Sequence, residues 1–217
     1  MTDHRPGTRN EPDATPARPR IFLPHVVVPD FLVSADNHAL LAHALDHQDR
    51  FAPARLTGGV VDPDGRKAMT WRDFGPLKAV LEQAVMARMP ELFAALRMPA
   101  FAVDSLETEM VAHGDGAHHQ LHSDVHPEKL GKYSDRRLSA VYYFHRKPVG
   151  FSGGFLRMHA LGAMRGDAGV DVAPAQNSLV AFPSIAPHEV TMVRCPSGAF
   201  ADSRFAINCW VYRAPGG

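Results

Sequence analysis

Residues 204–212 read RFAINCWVY, from Arg204 to Tyr212, and their strict alternation decides the fold. Successive side chains of an extended strand point to opposite faces. Arg204, Ala206, Asn208, Trp210 and Tyr212 therefore share one face, while Phe205, Ile207, Cys209 and Val211 share the other. The first face is polar and suited to a ligand, the second suited to a sheet core. The same rule applied to LSAVYYF, residues 138–144, groups Ser139, Val141 and Tyr143 against Ala140 and Tyr142.

Working outward, further β-like segments with turn residues between them lie at 105–113, 119–124, 155–159, 170–173, 178–182 and 188–193. Together with 138–144 and 204–212 they make eight short strands without intervening helices, which predicts a double-stranded β-helix, or jelly roll. Upstream, IFLPHVVVPDF (21–31) reads as a leading strand. A helix should follow, capped by Ser34, with Leu40, Leu41, Ala44 and Leu45 at helical spacing. Residues 51–75, with Gly58, Gly59, Pro63 and Gly65, read as a loop region near a ligand. A second helix is predicted from Pro76 to Leu96, with Leu77, Val80, Leu81, Ala84, Val85 and Met89 as its apolar stripe and a break or kink at Pro90. The class is mainly β with flanking helices. Residues 1–20, rich in proline and charge, read as a disordered tail. Residues 21–217 read as one domain, with a strand and supporting helices over 21–104 and the jelly-roll core over 105–213.

Charge is balanced, 23 basic against 23 acidic side chains, so nothing favours a nucleic-acid partner, and a peptide, protein or small-molecule substrate fits better. No apolar run approaches the roughly 20 residues of a membrane span. Two cysteines, Cys195 and Cys209, are too few for a disulfide framework, and no signal peptide opens the chain, which points to a cytoplasmic setting.

Against this frame a set of polar residues stands out: His122, Asp124 and His188, then Arg204 ahead of Trp210. Two imidazoles and a carboxylate can hold one face of an Fe(II) octahedron and leave the opposite face for a chelating co-substrate and oxygen. An arginine keeps its charge at any working pH and can grip a far carboxylate. With 13 histidines an H-x-D triplet arises readily by chance, and His47-Gln48-Asp49, on the first helix, is read as a decoy. His118, His119, His122 and His126 suggest a tetrahedral zinc site instead, but adjacent strand residues face opposite ways. Gly153-Gly154 reads as a tight turn before a strand, and Arg165, Asp167 and Asp171 as solvated loop charges.

The stretch from about 106 to 213 resembles the Fe(II)/2-oxoglutarate-dependent dioxygenase superfamily, most closely its prolyl 4-hydroxylase-like branch. The resemblance rests on His122-Ser123-Asp124, LSAVYYF, FSGGFLRMH (151–159), NSLVAFPSIAPHEV (177–190) and RFAINCW, in this order. HVVVPDFLVSADNHALLAHAL (25–45) is a weaker match to the leading strand and helix of such enzymes. It implies that His122, Asp124 and His188 ligate iron, that Arg204 pairs with the distal carboxylate of 2-oxoglutarate while Tyr143 hydrogen-bonds it, and that Trp210 and Asn208 line the pocket. It further implies 2-oxoglutarate and O2 as co-substrates, ascorbate as a reductant, and hydroxylation of an unactivated C–H bond, first on a prolyl or other aminoacyl residue. Asp124, an acid that related halogenases lack, favours hydroxylation. His113 stands where many relatives have tyrosine, and His119 lies three residues before His122. The 16-residue step from His188 to Arg204 implies an extended hairpin through CPSGAFADS. A free amino acid or small metabolite as substrate, a cupin-type dioxygenase without 2-oxoglutarate, and a non-catalytic iron- and 2-oxoglutarate-binding sensor are the other readings.

Overall fold

The computed structural model describes residues 20–56, 59–125 and 135–214. All of the expected tail except Arg20 lies outside them. So do His126 and most of the segment 125–137. In chain order the elements are β1 (Val26–Val28), α1 (Ser34–Asp46), β2 (Ala52–Pro53), β3 (Arg66–Lys67), β4 (Met69–Trp71), α2 (Pro76–Ala95), β5 (Val103–His113), β6 (His118–His122), β7 (Arg136–Phe144), β8 (Ser152–Gly153), β9 (Leu156–Met158), β10 (Val170–Val172), β11 (Ser178–Pro183), β12 (His188–Val190), β13 (Val193–Arg194) and β14 (Arg204–Arg213).

β14 is the central strand of the larger sheet because its β-branched and aromatic residues fit a pleated surface covered on both faces. It pairs antiparallel with β5 on one side and β7 on the other, in a sheet ordered β1-β11-β7-β14-β5-β4-β2. A smaller sheet, β10-β9-β12-β6-β3, lies opposite, and β13 pairs with β8. All eight predicted strands are present, each within a few residues of its expected bounds. The two faces of the large sheet are as the alternation requires. Phe205, Ile207, Cys209 and Val211 join Ala140, Tyr142, Leu179 and the helix residues Leu40, Ala44, Leu81, Val85 and Leu92 in the main core. Val141, Tyr143, Val180, Phe182 and Ala206 turn inward against Leu156, Met158 and Val172 of the small sheet.

α1 is tied to the large sheet by a buried polar network. Asn37 Nδ2 donates to the Tyr142 hydroxyl at 2.6 Å, which donates to Asn177 Oδ1 at 2.8 Å, and Gln176 Nε2 donates to Asn37 Oδ1 at 2.8 Å. Several local expectations are corrected. The leading strand is only Val26–Val28, bounded by Pro24 and Pro29, which cannot donate to a ladder. Ser34 begins α1 instead of capping it. The region 51–75 contains β2, β3 and β4, which extend both sheets. α2 runs unbroken through Pro90, because buried Met89, Leu92 and Phe93 hold it on the core on either side of the exposed proline. The step from His188 to Arg204 is not a hairpin: β13 crosses to pair with β8, and a 3-10 turn at Phe200–Asp202 leads into β14. Asp171 is not a free loop charge, since Arg157 Nε reaches its Oδ1 at 2.6 Å across β9 and β10. Among the described residues no helix is long and apolar enough to cross a membrane.

Candidate functional site

His122 ends β6 and His188 opens β12, and the two are direct cross-strand partners. Asp124 lies just past β6, where its backbone N–H donates to the Ser184 carbonyl at 3.0 Å and turns the carboxylate back toward both rings. His122 Nε2 is 3.8 Å from Asp124 Oδ1, and His188 Nε2 is 3.9 Å from Oδ2. The three ligand atoms all lie within 4.8 Å of one another, the one such group among the described residues. Both rings are oriented from behind: Nδ1 of His122 lies 2.8 Å from the Gln120 carbonyl and Nδ1 of His188 lies 2.9 Å from that of Ala186. A carbonyl only accepts, so each Nδ1 carries the proton and each Nε2 presents a lone pair.

Burial, then the neighbouring His188, holds the His122 pKa down to about 3 against the pull of Asp124. Burial pushes the Asp124 carboxyl up, but His188, His122 and the Ser139 hydroxyl outweigh it and hold it below the ordinary carboxylate range. Ser139 Oγ donates to Asp124 Oδ2 at 2.6 Å and lies 2.9 Å from Ser184 Oγ. The result is a neutral imidazole beside an ionised carboxylate, the protonation states a divalent ion requires.

Farther along the same inner face, Arg204 is only 1% exposed. Its Nε donates to the Gly154 carbonyl at 2.7 Å, its NH1 donates to His113 Nδ1 at 3.1 Å, and the guanidinium lies 4.8 Å from the Tyr143 ring centroid. No carboxylate among the described residues pairs with it. The Tyr143 hydroxyl is buried without a hydrogen-bond partner there. Burial, then the cations of Arg204 and Arg66, keeps His113 neutral well below its ordinary range. A buried cation and an orphaned hydroxyl side by side, with no anion to serve them, form a cradle for a carboxylate.

Both clusters open on one cavity, which Asn208 and Trp210 also line. Arg136 stacks over the Trp210 ring at 4.5 Å. His113, His122, Asp124, Tyr143, His188, Arg204, Asn208 and Trp210 thus line one cavity, with Leu156, Phe182 and Val190 as apolar wall. His119 lies against His122 with ring centroids 3.7 Å apart. His118 faces away, its Nε2 2.9 Å from the Asp64 carbonyl, so it takes no part in a four-histidine site. The decoy is elsewhere: His47 and His43 stack around Trp71 on α1's side of the large sheet.

Sequence reasoning missed three contributors. Arg66 lines the cavity and pairs with buried Glu109 at 2.6 Å. Ser139 was placed on the inner face but not joined to Asp124. Gly154, read only as a turn, has φ +64°, and a Cβ there would sit 2.6 Å from Arg204 Cδ. Its signal was the glycine pair itself, which marks close backbone approach as well as a turn.

A jelly roll with an H-x-D…H group and a buried arginine defines a class of metal-dependent oxygenases. Residues 108–212 match the model of the 2OG-Fe(II) oxygenase superfamily. It is 29% identical over 209 residues to a PKHD-type hydroxylase of Synechocystis, covering 93% of this chain and 68% of that protein. Among solved structures it is similar to a Trichoplax adhaerens prolyl hydroxylase in complex with a hypoxia-inducible-factor peptide fragment, with a TM-score of 0.67 and 17% identity over 87% of this chain and 83% of that one. A Pseudomonas putida prolyl-4-hydroxylase gives a TM-score of 0.60 and 23% identity over 87% and 92% of the two chains. At these identities the solved structures speak for the fold.

Proposed function

We propose that this protein is an Fe(II)- and 2-oxoglutarate-dependent hydroxylase of an unactivated C–H bond, acting on a prolyl or other aminoacyl residue of a peptide or protein. The carrying observation is the buried, carboxylate-free Arg204 at one end of a cavity whose other end holds the His122, Asp124 and His188 group. In this reading those three residues hold the iron, which when bound supplies the oxygen chemistry. Arg204 and the Tyr143 hydroxyl take the distal carboxylate of 2-oxoglutarate and so orient its oxo-acid end toward the metal. His113 accepts from Arg204 and fixes the guanidinium. Asn208 and Trp210 border the space left for the substrate, while Leu156, Phe182 and Val190 exclude water from it. The balance is one 2-oxoglutarate, one O2 and one C–H giving succinate, carbon dioxide and C–OH. The peptide preference draws on the peptide-bound Trichoplax enzyme of similar fold.

The test is anaerobic addition of Fe(II) and 2-oxoglutarate, following the visible absorption of the chelate, then O2 and a succinate measurement. Arg204→Ala should weaken 2-oxoglutarate binding with iron retained, and His188→Ala should lose iron as well. An iron-loaded protein that gives neither absorption band nor succinate would refute the proposal. Prolyl peptides, tried against free proline, test the substrate class by coupled succinate release.

A further inference from the structure

The cavity holds a second guanidinium that the roles above leave unused. Arg66, on β3, is 8% exposed and lines the cavity beside the triad. Glu109 occupies only its NH2, at 2.6 Å. Its Nε is buried with no partner, and no described residue bonds its NH1. A buried donor of a charged group is ordinarily satisfied, so the Arg66 Nε points to an acceptor that arrives with a ligand. Position narrows the choice of ligand. Arg66 is the cross-strand partner of His119, whose ring lies against His122, so it stands at the metal end, whereas Arg204 is the partner of His113.

We infer that Arg66 is a second carboxylate subsite, holding the oxo-acid co-substrate by the carboxylate nearer the metal while Arg204 holds the other. This rests on the co-substrate proposed above. A charge count favours the co-substrate over a carboxylate on the substrate. The buried charges that line or border the cavity are Arg66 and Arg204 against Glu109 and Asp124, while Arg72, on the other oxygen of Glu109, is exposed. A divalent ion adds two positive charges and a dicarboxylate two negative ones, so the loaded cavity is neutral. A further carboxylate there would be an uncompensated buried charge. The reacting part of the substrate is accordingly uncharged.

Removing Arg66 alone would leave buried Glu109 with only exposed Arg72, at 3.2 Å, so the test uses Arg66→Met with Glu109→Leu, which deletes the buried pair together. Arg66→Lys serves as a second variant that keeps the charge but loses the planar donors. Anaerobic calorimetry with Mn(II) would follow binding of 2-oxoglutarate and of 2-oxopentanoate, which has the same oxo-acid end and no distal carboxylate. Metal affinity is measured in parallel. The double variant should bind both oxo acids roughly ten- to hundredfold more weakly, with metal affinity unchanged. Arg204→Gln should weaken 2-oxoglutarate alone. Wild-type affinity for both ligands in the double variant, or a loss confined to 2-oxoglutarate, would overturn the inference. So would a loss confined to L-proline titrated onto co-substrate-loaded protein, which would move the subsite to the substrate. Failure of the wild-type protein to bind either oxo acid would instead strike the proposed function.

Discussion

At the scale of single residues, Arg204 is held by neighbours that have no chemistry of their own. Gly154 supplies a carbonyl to its Nε and, by having no side chain, the space for its Cδ. Gly154→Ala adds an atom 2.6 Å from Arg204 Cδ and 2.8 Å from Val193 Cγ2 at a φ of +64°, so the guanidinium must shift. Its expected effect is at least about a tenfold loss of 2-oxoglutarate affinity with metal content unchanged, read by anaerobic titration, since small misplacements of positioning groups are costly. His113 gives a pH signature. Burial, aided by the cations of Arg204 and Arg66, keeps its pKa well below the ordinary 6.5 in the folded state. Above about pH 6.5 folded and unfolded chains both carry it neutral, and it costs nothing. Below that, the unfolded chain binds a proton that the folded chain refuses, so stability falls by about 1.4 kcal/mol per pH unit from this one group. Urea unfolding of metal-free protein between about pH 5 and 7 should show stability falling as pH falls, and His113→Asn should make that slope shallower by the share of this one group. The triad and Arg204 were legible because their residue types are uncommon together on strand-like segments. Arg66 and Glu109 were not: 43 positions separate them, and only the sheet brings them into contact.

At the scale of elements, β7 and β14 were readable because each is long enough for a two-residue period to repeat. β2, β3 and β4 span two or three residues, too few to show any period, and their glycine- and proline-containing surroundings carried the stronger signal. α2 shows the opposite failure, a rule outweighed by packing. Pro90 lacks the N–H that would bond back along the helix, yet Leu81, Val85, Met89, Leu92 and Phe93 are all buried on one side. Pro90→Ala should therefore stabilise the protein, by up to about 3 kcal/mol, without disturbing the fold. A raised urea midpoint with unchanged slope checks this, and a lowered midpoint would contradict it.

At the scale of the whole molecule, the large sheet separates two tasks, with helices and core on one face and the cavity on the other. Leu81→Ala, on the helix side and 0% exposed, should cost about 2–5 kcal/mol in urea unfolding. The affinity of the folded fraction for iron and 2-oxoglutarate should stay unchanged. A proportionate loss of affinity would show that the two faces are not independent. β14 serves both tasks from adjacent positions, and this bears on how the chain finds its fold. A slip of one residue along β14 would exchange its faces. Arg204 and Asn208 would then be driven among Leu81, Val85 and Phe144, while Phe205 and Ile207 would crowd His113 and Tyr143. A guanidinium stranded in that apolar layer makes the misaligned sheet far less stable than the aligned one. The residue proposed to hold the co-substrate thus also acts as a proofreading mark during folding, penalising every odd-numbered misalignment of the strand that carries it.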